Sequence, residues 1–166
     1  MNEVNRTLYI PLYGKAQVSK KNIILKDKKA EEIWEKEKFP LKGKAKSKWL
    51  TYYMVMRAKV FDDWTEMKIK EHPNALVLHI GCGMDSRYLR VGEKAKQWCD
   101  IDFPDVIKER KKYYESSDNY RMISCDASKA EQLENLPDAE EAIMILEGIS
   151  MYLKNQEVVT LFEYGN

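Results

Sequence analysis

Ala75-Leu76-Val77-Leu78-His79-Ile80-Gly81-Cys82-Gly83-Met84-Asp85 decides the fold of this chain. An apolar strand runs straight into a Gly-x-Gly turn. In a doubly wound α/β sheet, such a turn presents backbone N–H groups and an open crevice to a nucleotide-like ligand. Gly81 permits the tight turn, and Gly83 lets the backbone come close to the ligand. The third glycine of the dinucleotide fingerprint would fall at Ser86 and is absent. Taken alone, a Gly-x-Gly also fits a plain strand–loop turn.

Two acids add weight to the ligand reading. Asp100 and Asp102 follow Gly81 by nineteen and twenty-one residues, within Trp98-Cys99-Asp100-Ile101-Asp102-Phe103-Pro104. An acid at the end of the second strand commonly accepts hydrogen bonds from ribose hydroxyls. Either aspartate fits that role. Residues i and i+2 of a strand share a face, so one is expected to meet the sugar and the other to cap the helix that Pro104 opens. Asp126 closes a third apolar run and is placed to accept from an adenine amine, or to cap a turn. Glu147 ends a fourth run at the carboxyl edge, where ligands sit. A buried carboxylate there needs a donor partner.

Outward from this stretch the pattern alternates. Apolar runs at 75–80, 97–101, 120–124 and 142–146 are separated by helical stretches near 104–115 and 128–136, with a last helix near 155. That alternation predicts a parallel sheet with right-handed crossovers. Upstream, 27–38 reads as a helix capped by Asp27, and 47–71 as a longer one. Leu50, Tyr53, Met54, Val60, Phe61, Trp64 and Met67 form the expected apolar face of the long helix. Residues 1–26 show no clear period, and Pro11 argues against an internal strand there. The organisation expected is one compact unit: an N-terminal helical cap over 1–72 and a partial sheet domain over 73–166. Arg57 lies on the apolar face, where a cation needs a partner. It snorkels to water, pairs with a core carboxylate, or holds a ligand carboxylate in bidentate fashion. His79, within the first strand, reads as a satisfied structural residue.

With 28 basic and 27 acidic residues among 166, charge gives no argument for a nucleic-acid or membrane partner. The lysine-rich stretch 36–48 reads as a solvated loop. No apolar run is long enough to cross a bilayer, and the first six residues lack a signal-peptide core. Three cysteines without metal-ligand spacing fit free thiols, a cytoplasmic location and no metal.

The runs Val77 to Val91, Trp98 to Pro104 and Glu147 to Leu153, with Leu12-Tyr13-Gly14-Lys15-Ala16 and Met56 to Asp62 upstream, resemble the leucine carboxyl methyltransferase family. The closer likeness is to its bacterial polyketide O-methyltransferases of the tetracenomycin type. The resemblance covers nearly the whole chain. It implies a Rossmann-like fold and S-adenosylmethionine as cofactor. It further implies that Arg57 binds the methionine carboxylate, Gly81 lines the methionine portion, Gly83 belongs to the same cofactor-binding turn, and Asp102 contacts the ribose with Asp100 nearby. Asp126 and Ala127 would flank the adenine, and Glu147 would sit by the methionine amino group. Tyr13 and Tyr152 are candidates for the substrate wall, with core or rim packing as the alternative. The acceptor expected is a carboxylate or hydroxyl of a small, polyketide-like molecule; a carboxylate is already ionised at neutral pH and needs no general base.

The chain departs from the family at its end. The strand order implied is 3-2-1-4-5-7-6, and residues 75–146 supply only 3-2-1-4. The fourth strand is apolar on both faces, as a central strand should be, yet it would form an edge. The expectation is either that the sequence is a fragment of a longer relative or that something else covers this edge, a second copy of the chain being the simplest candidate. A cofactor-binding or interaction module without turnover is the competing reading. Methyl transfer to small carboxylic acids separates the two.

Overall fold

The computed structural model describes residues 8–37, 39, 41, 47–129, 132, 136–149, 153–157 and 159. The chain divides into two compact units. One comprises residues 1–64 with 84–91, the other residues 65–83 with 92–166.

The first unit is helical. α1 (Tyr9–Lys20) forms where the sequence shows no period. Pro11 sits in its first turn, where a missing N–H costs little. α2 (Lys28–Glu37) begins as expected, with Asp27 Oδ1 accepting the Ala30 N–H at 2.9 Å. α1 and α2 pack together, with Tyr13 tilted against Trp34 at 4.8 Å between ring centroids. α3 (Lys48–Glu71) is capped by Ser47, whose hydroxyl accepts the Leu50 N–H at 3.2 Å. α1 packs on α3 at Gly14, where a Cβ would make only ordinary contact, 3.5 Å from the Thr51 carbonyl and from Val55.

The buried face of α3 differs from the expected one. Val55, Ala58, Asp62, Thr65 and Ile69 are buried, whereas Tyr53, Val60, Trp64 and Met67 are exposed. The reason is a set of buried ion pairs that draws Asp62 inward. Asp62 takes Arg87 Nε at 2.8 Å and Arg90 Nε at 2.6 Å. Arg90 also bonds Asp27 at 2.7 Å and Asp85 at 2.8 Å, and Lys15 pairs with Asp85 at 2.8 Å. Three cations thus face three carboxylates. Arg90 resists deprotonation because the carboxylates more than offset its desolvation.

The second unit carries the sheet. β1 (Leu76–Ile80), β2 (Gln97–Asp102), β3 (Tyr120–Ser124) and β4 (Ala142–Ile145) are all parallel, in the order β3-β2-β1-β4. This is the predicted α/β architecture, Rossmann-like in its strand order. β1 is buried throughout, as a strand covered on both faces should be. Leu76, Leu78, Ile80, Cys99 and Ile101 form the centre of the core. The connection from β1 to β2 holds one π-helical turn, Tyr88–Gly92. α4 (Pro104–Arg110) opens on Pro104 and buries Val106, Ile107 and Arg110. The helix expected near 128–136 lies largely outside the described residues. Among the described strands, β4 pairs on one side only.

Candidate functional site

The carboxyl ends of the four strands bring most of the expected residues to one edge of the sheet. β1 ends at Gly81 and Gly83, both in the left-handed region (φ 69° and 51°) that side chains disfavour. The Gly81 and Cys82 N–H groups donate to the Ile101 carbonyl at 2.8 and 3.2 Å, which moors the loop to β2. Gly81 has a second constraint. An added Cβ would lie 2.0 Å from the Ile149 side chain, in the segment that follows β4.

Asp102, at the end of β2, is 9% exposed and oriented by backbone donors. Its Oδ2 accepts the Gly83 N–H at 2.8 Å and its Oδ1 the Phe103 N–H at 2.8 Å. Burial pushes its pKa up against these bonds. Each oxygen keeps further acceptor capacity.

Asp100 occupies a different environment. It is wholly buried. Its Oδ1 faces His79 Nδ1 at 3.0 Å and accepts from Trp98 Nε1 at 2.9 Å. Its Oδ2 accepts from the Tyr120 hydroxyl at 2.5 Å and from the Arg110 guanidinium. Burial opposes its charge, but Arg110 and the bonds from His79 and Tyr120 prevail and hold its pKa at about 2. The expectation of a ligand contact at Asp100 therefore gives way to an internal role, because four protein donors enclose the carboxylate. His79 is the satisfied structural histidine the sequence suggested.

Asp126 follows β3 and closes a turn. Its Oδ1 accepts the Ser128 hydroxyl at 2.7 Å and the Ser128 N–H at 3.1 Å, which hold its pKa below the usual range. Its own N–H donates to Gln132 at 2.7 Å. Ala127 beside it packs against the core. Glu147, two residues beyond β4, is half-buried. Arg57 is half-buried on α3, and Tyr13 packs on α1, both in the helical unit. Tyr152 lies outside the described residues.

Sequence reasoning missed Arg110. Its signal was available: with Val106 and Ile107 it lies on the buried stripe of α4, a core position for a cation. Its Nη1 donates to the Gly83 carbonyl at 2.9 Å, and its guanidinium lies over Tyr114 at 4.1 Å. Among the described residues, no cluster of His, Cys, Asp and Glu could hold a metal ion. No helix among them is long and apolar enough to cross a membrane.

A family profile described as leucine carboxyl methyltransferase matches residues 10–164. The tetracenomycin polyketide synthesis O-methyltransferase TcmP of Streptomyces glaucescens is 35% identical over 105 residues, 63% of this chain and 39% of that protein. The S-adenosyl-L-methionine-dependent methyltransferase dpfgK of Gibberella zeae is 34% identical over 125 residues, 69% of this chain and 42% of its own length. The chain spans about two fifths of the curated relatives it matches.

Proposed function

The chain belongs to the leucine carboxyl methyltransferase family, and from that premise we propose that it is an S-adenosylmethionine-dependent O-methyltransferase acting on a carboxylate or hydroxyl of a small, polyketide-like molecule. One observation carries the reading. A left-handed glycine loop is tied through the Gly83 N–H to Asp102, at the carboxyl edge of a parallel sheet. Acids stand at the neighbouring strand ends, Asp126 after β3 and Glu147 after β4.

The donor set fits the cofactor. Hydroxyls, an adenine amine and an α-ammonium all donate, and the strand ends offer carboxylate acceptors. Asp102 would take the ribose hydroxyls, Asp126 and Ala127 the adenine, and Glu147 the ammonium. Arg57 would hold the methionine carboxylate as a bidentate pair. When bound, the cofactor supplies an electrophilic methyl group on a sulfonium. The protein's part is to orient the two reactants and exclude water.

A carboxylate acceptor suits the histidines. His79 is committed to Asp100, and His72 pairs with Glu141 at 3.4 Å on the amino edge of the sheet. A carboxylic acid with a pKa of about 4 is already ionised at neutral pH and asks for no base. The outer edge of β4 is the surface on which a second copy would pair.

Two measurements test the reading. Titration calorimetry should detect S-adenosylhomocysteine binding. Radiolabelled methyl transfer should then mark members of a panel of aromatic and polyketide carboxylic acids ahead of phenols. No binding of S-adenosylhomocysteine would overturn the proposal. Binding without transfer to either class would favour a cofactor-binding module.

A further inference from the structure

Gly83 is held from both sides by the two aspartates of β2. Its N–H goes to Asp102 at 2.8 Å. Its carbonyl accepts from Arg110 Nη1 at 2.9 Å, and Arg110 Nη2 donates to Asp100. Asp100 is itself fixed by His79, Trp98 and Tyr120, one residue from each of β1, β2 and β3. Register explains the convergence, since His79 pairs with Asp100 across β1 and β2, and Asp100 with Met122 across β2 and β3. A chain of charge-assisted bonds thus runs from the sheet interior to the glycine loop.

We propose that Arg110 is a positioning residue: through the Gly83 carbonyl it sets the loop that receives the cofactor, with Asp100 as its anchor, leaving Asp102 to meet the ligand. The proposal rests on the methyltransferase reading only for its binding consequence. The physics is preorganisation. Gly83 sits at φ 51°, and glycine surrenders more backbone freedom than any other residue when it is fixed. A bond on each side of its peptide limits what the loop must lose when ligand binds. Arg110 serves because one rigid guanidinium can bond a carboxylate and a carbonyl together. The buried stripe of α4 supplies its fixed base.

The test compares Arg110→Met and Arg110→Lys with Val106→Ala, a core change on the same helix at a side chain that can form no hydrogen bond. Amide exchange at Gly83, read by NMR in the ligand-free protein, should quicken about tenfold or more in both Arg110 variants, the scale for losing one charge-assisted bond. S-adenosylhomocysteine affinity should fall by a similar factor. Val106→Ala should lower the melting temperature without either change. Arg110→Lys keeps a cation beside Asp100, so it decides the matter if Arg110→Met does not fold. Gly83 exchange no faster than in Val106→Ala would overturn the proposal. Should the wild-type protein not bind S-adenosylhomocysteine, the methyltransferase reading fails, while the exchange measurement still judges the clamp.

Discussion

Asp100 and Asp102 are separated by one residue and share a face of β2, yet their surroundings divide their labour. Asp102 keeps acceptor capacity at the strand end; Asp100 has none to spare. Replacing Asp102 with Asn, or Arg57 with Ala, should weaken S-adenosylhomocysteine binding by about 1.5–3 kcal/mol, the range for a charge-assisted bond; titration calorimetry on the folded variants checks this. Asp100 should instead register in stability. Its pKa is held at about 2 against an ordinary 3.8, so its folded state favours the charged form. The resulting stabilisation is complete above the unfolded value and is lost as pH falls through about 2. Urea unfolding between pH 5 and 2 should steepen this way in the wild type. Asp100→Asn should flatten that acid limb and lower stability at neutral pH by about 3 kcal/mol or more, the scale for breaking a buried pair. The spacing from Gly81 made both acids legible in the sequence. It did not reveal which was internal, because that is decided by Arg110 and Tyr120, brought in from α4 and β3.

The strands were the most legible elements. Their apolar runs alternate with helices, and β1 to β4 formed within a residue or two of the expected bounds. The helices were harder. α1 escaped notice because glycine, proline and buried Lys15 blur its period. The inward face of α3 was misread for a related reason. Hydrophobicity marks Tyr53, Val60 and Trp64, but Asp62 is drawn inward by Arg87 and Arg90, and small Ala58 permits close packing. Ion pairs formed by residues distant in sequence leave no periodic trace. At the strand-to-loop junction, Gly81 carries two demands at once, a positive φ and room for Ile149. Gly81→Ala should therefore destabilise the fold by about 1–3 kcal/mol of backbone strain, in addition to the displaced side chain, and so lower the melting temperature. Pairing it with Ile149→Ala should return only the contact part of that loss, which a four-member thermal-melt cycle can resolve.

At the scale of the whole molecule, the comparisons and the sheet order place the chain in its family, while the acceptor and assembly remain the subjects of the proposals above. β4 pairs with β1 alone among the described strands, and an edge strand is a template for pairing with another chain. Multi-angle light scattering of this chain should accordingly give at least twice the 19.6 kDa protomer mass. A monomer at high concentration would remove the β4 pairing from the reading. The three thiols offer a last consequence. Cys82, Cys99 and Cys125 are buried and form no disulfide, and burial raises the Cys99 pKa to about 11. They lie on the glycine loop, within β2 and just past β3, so each marks a different plank of the same floor. A thiol-reactive dye should label them only as fast as that floor opens, and ligand should slow all three together.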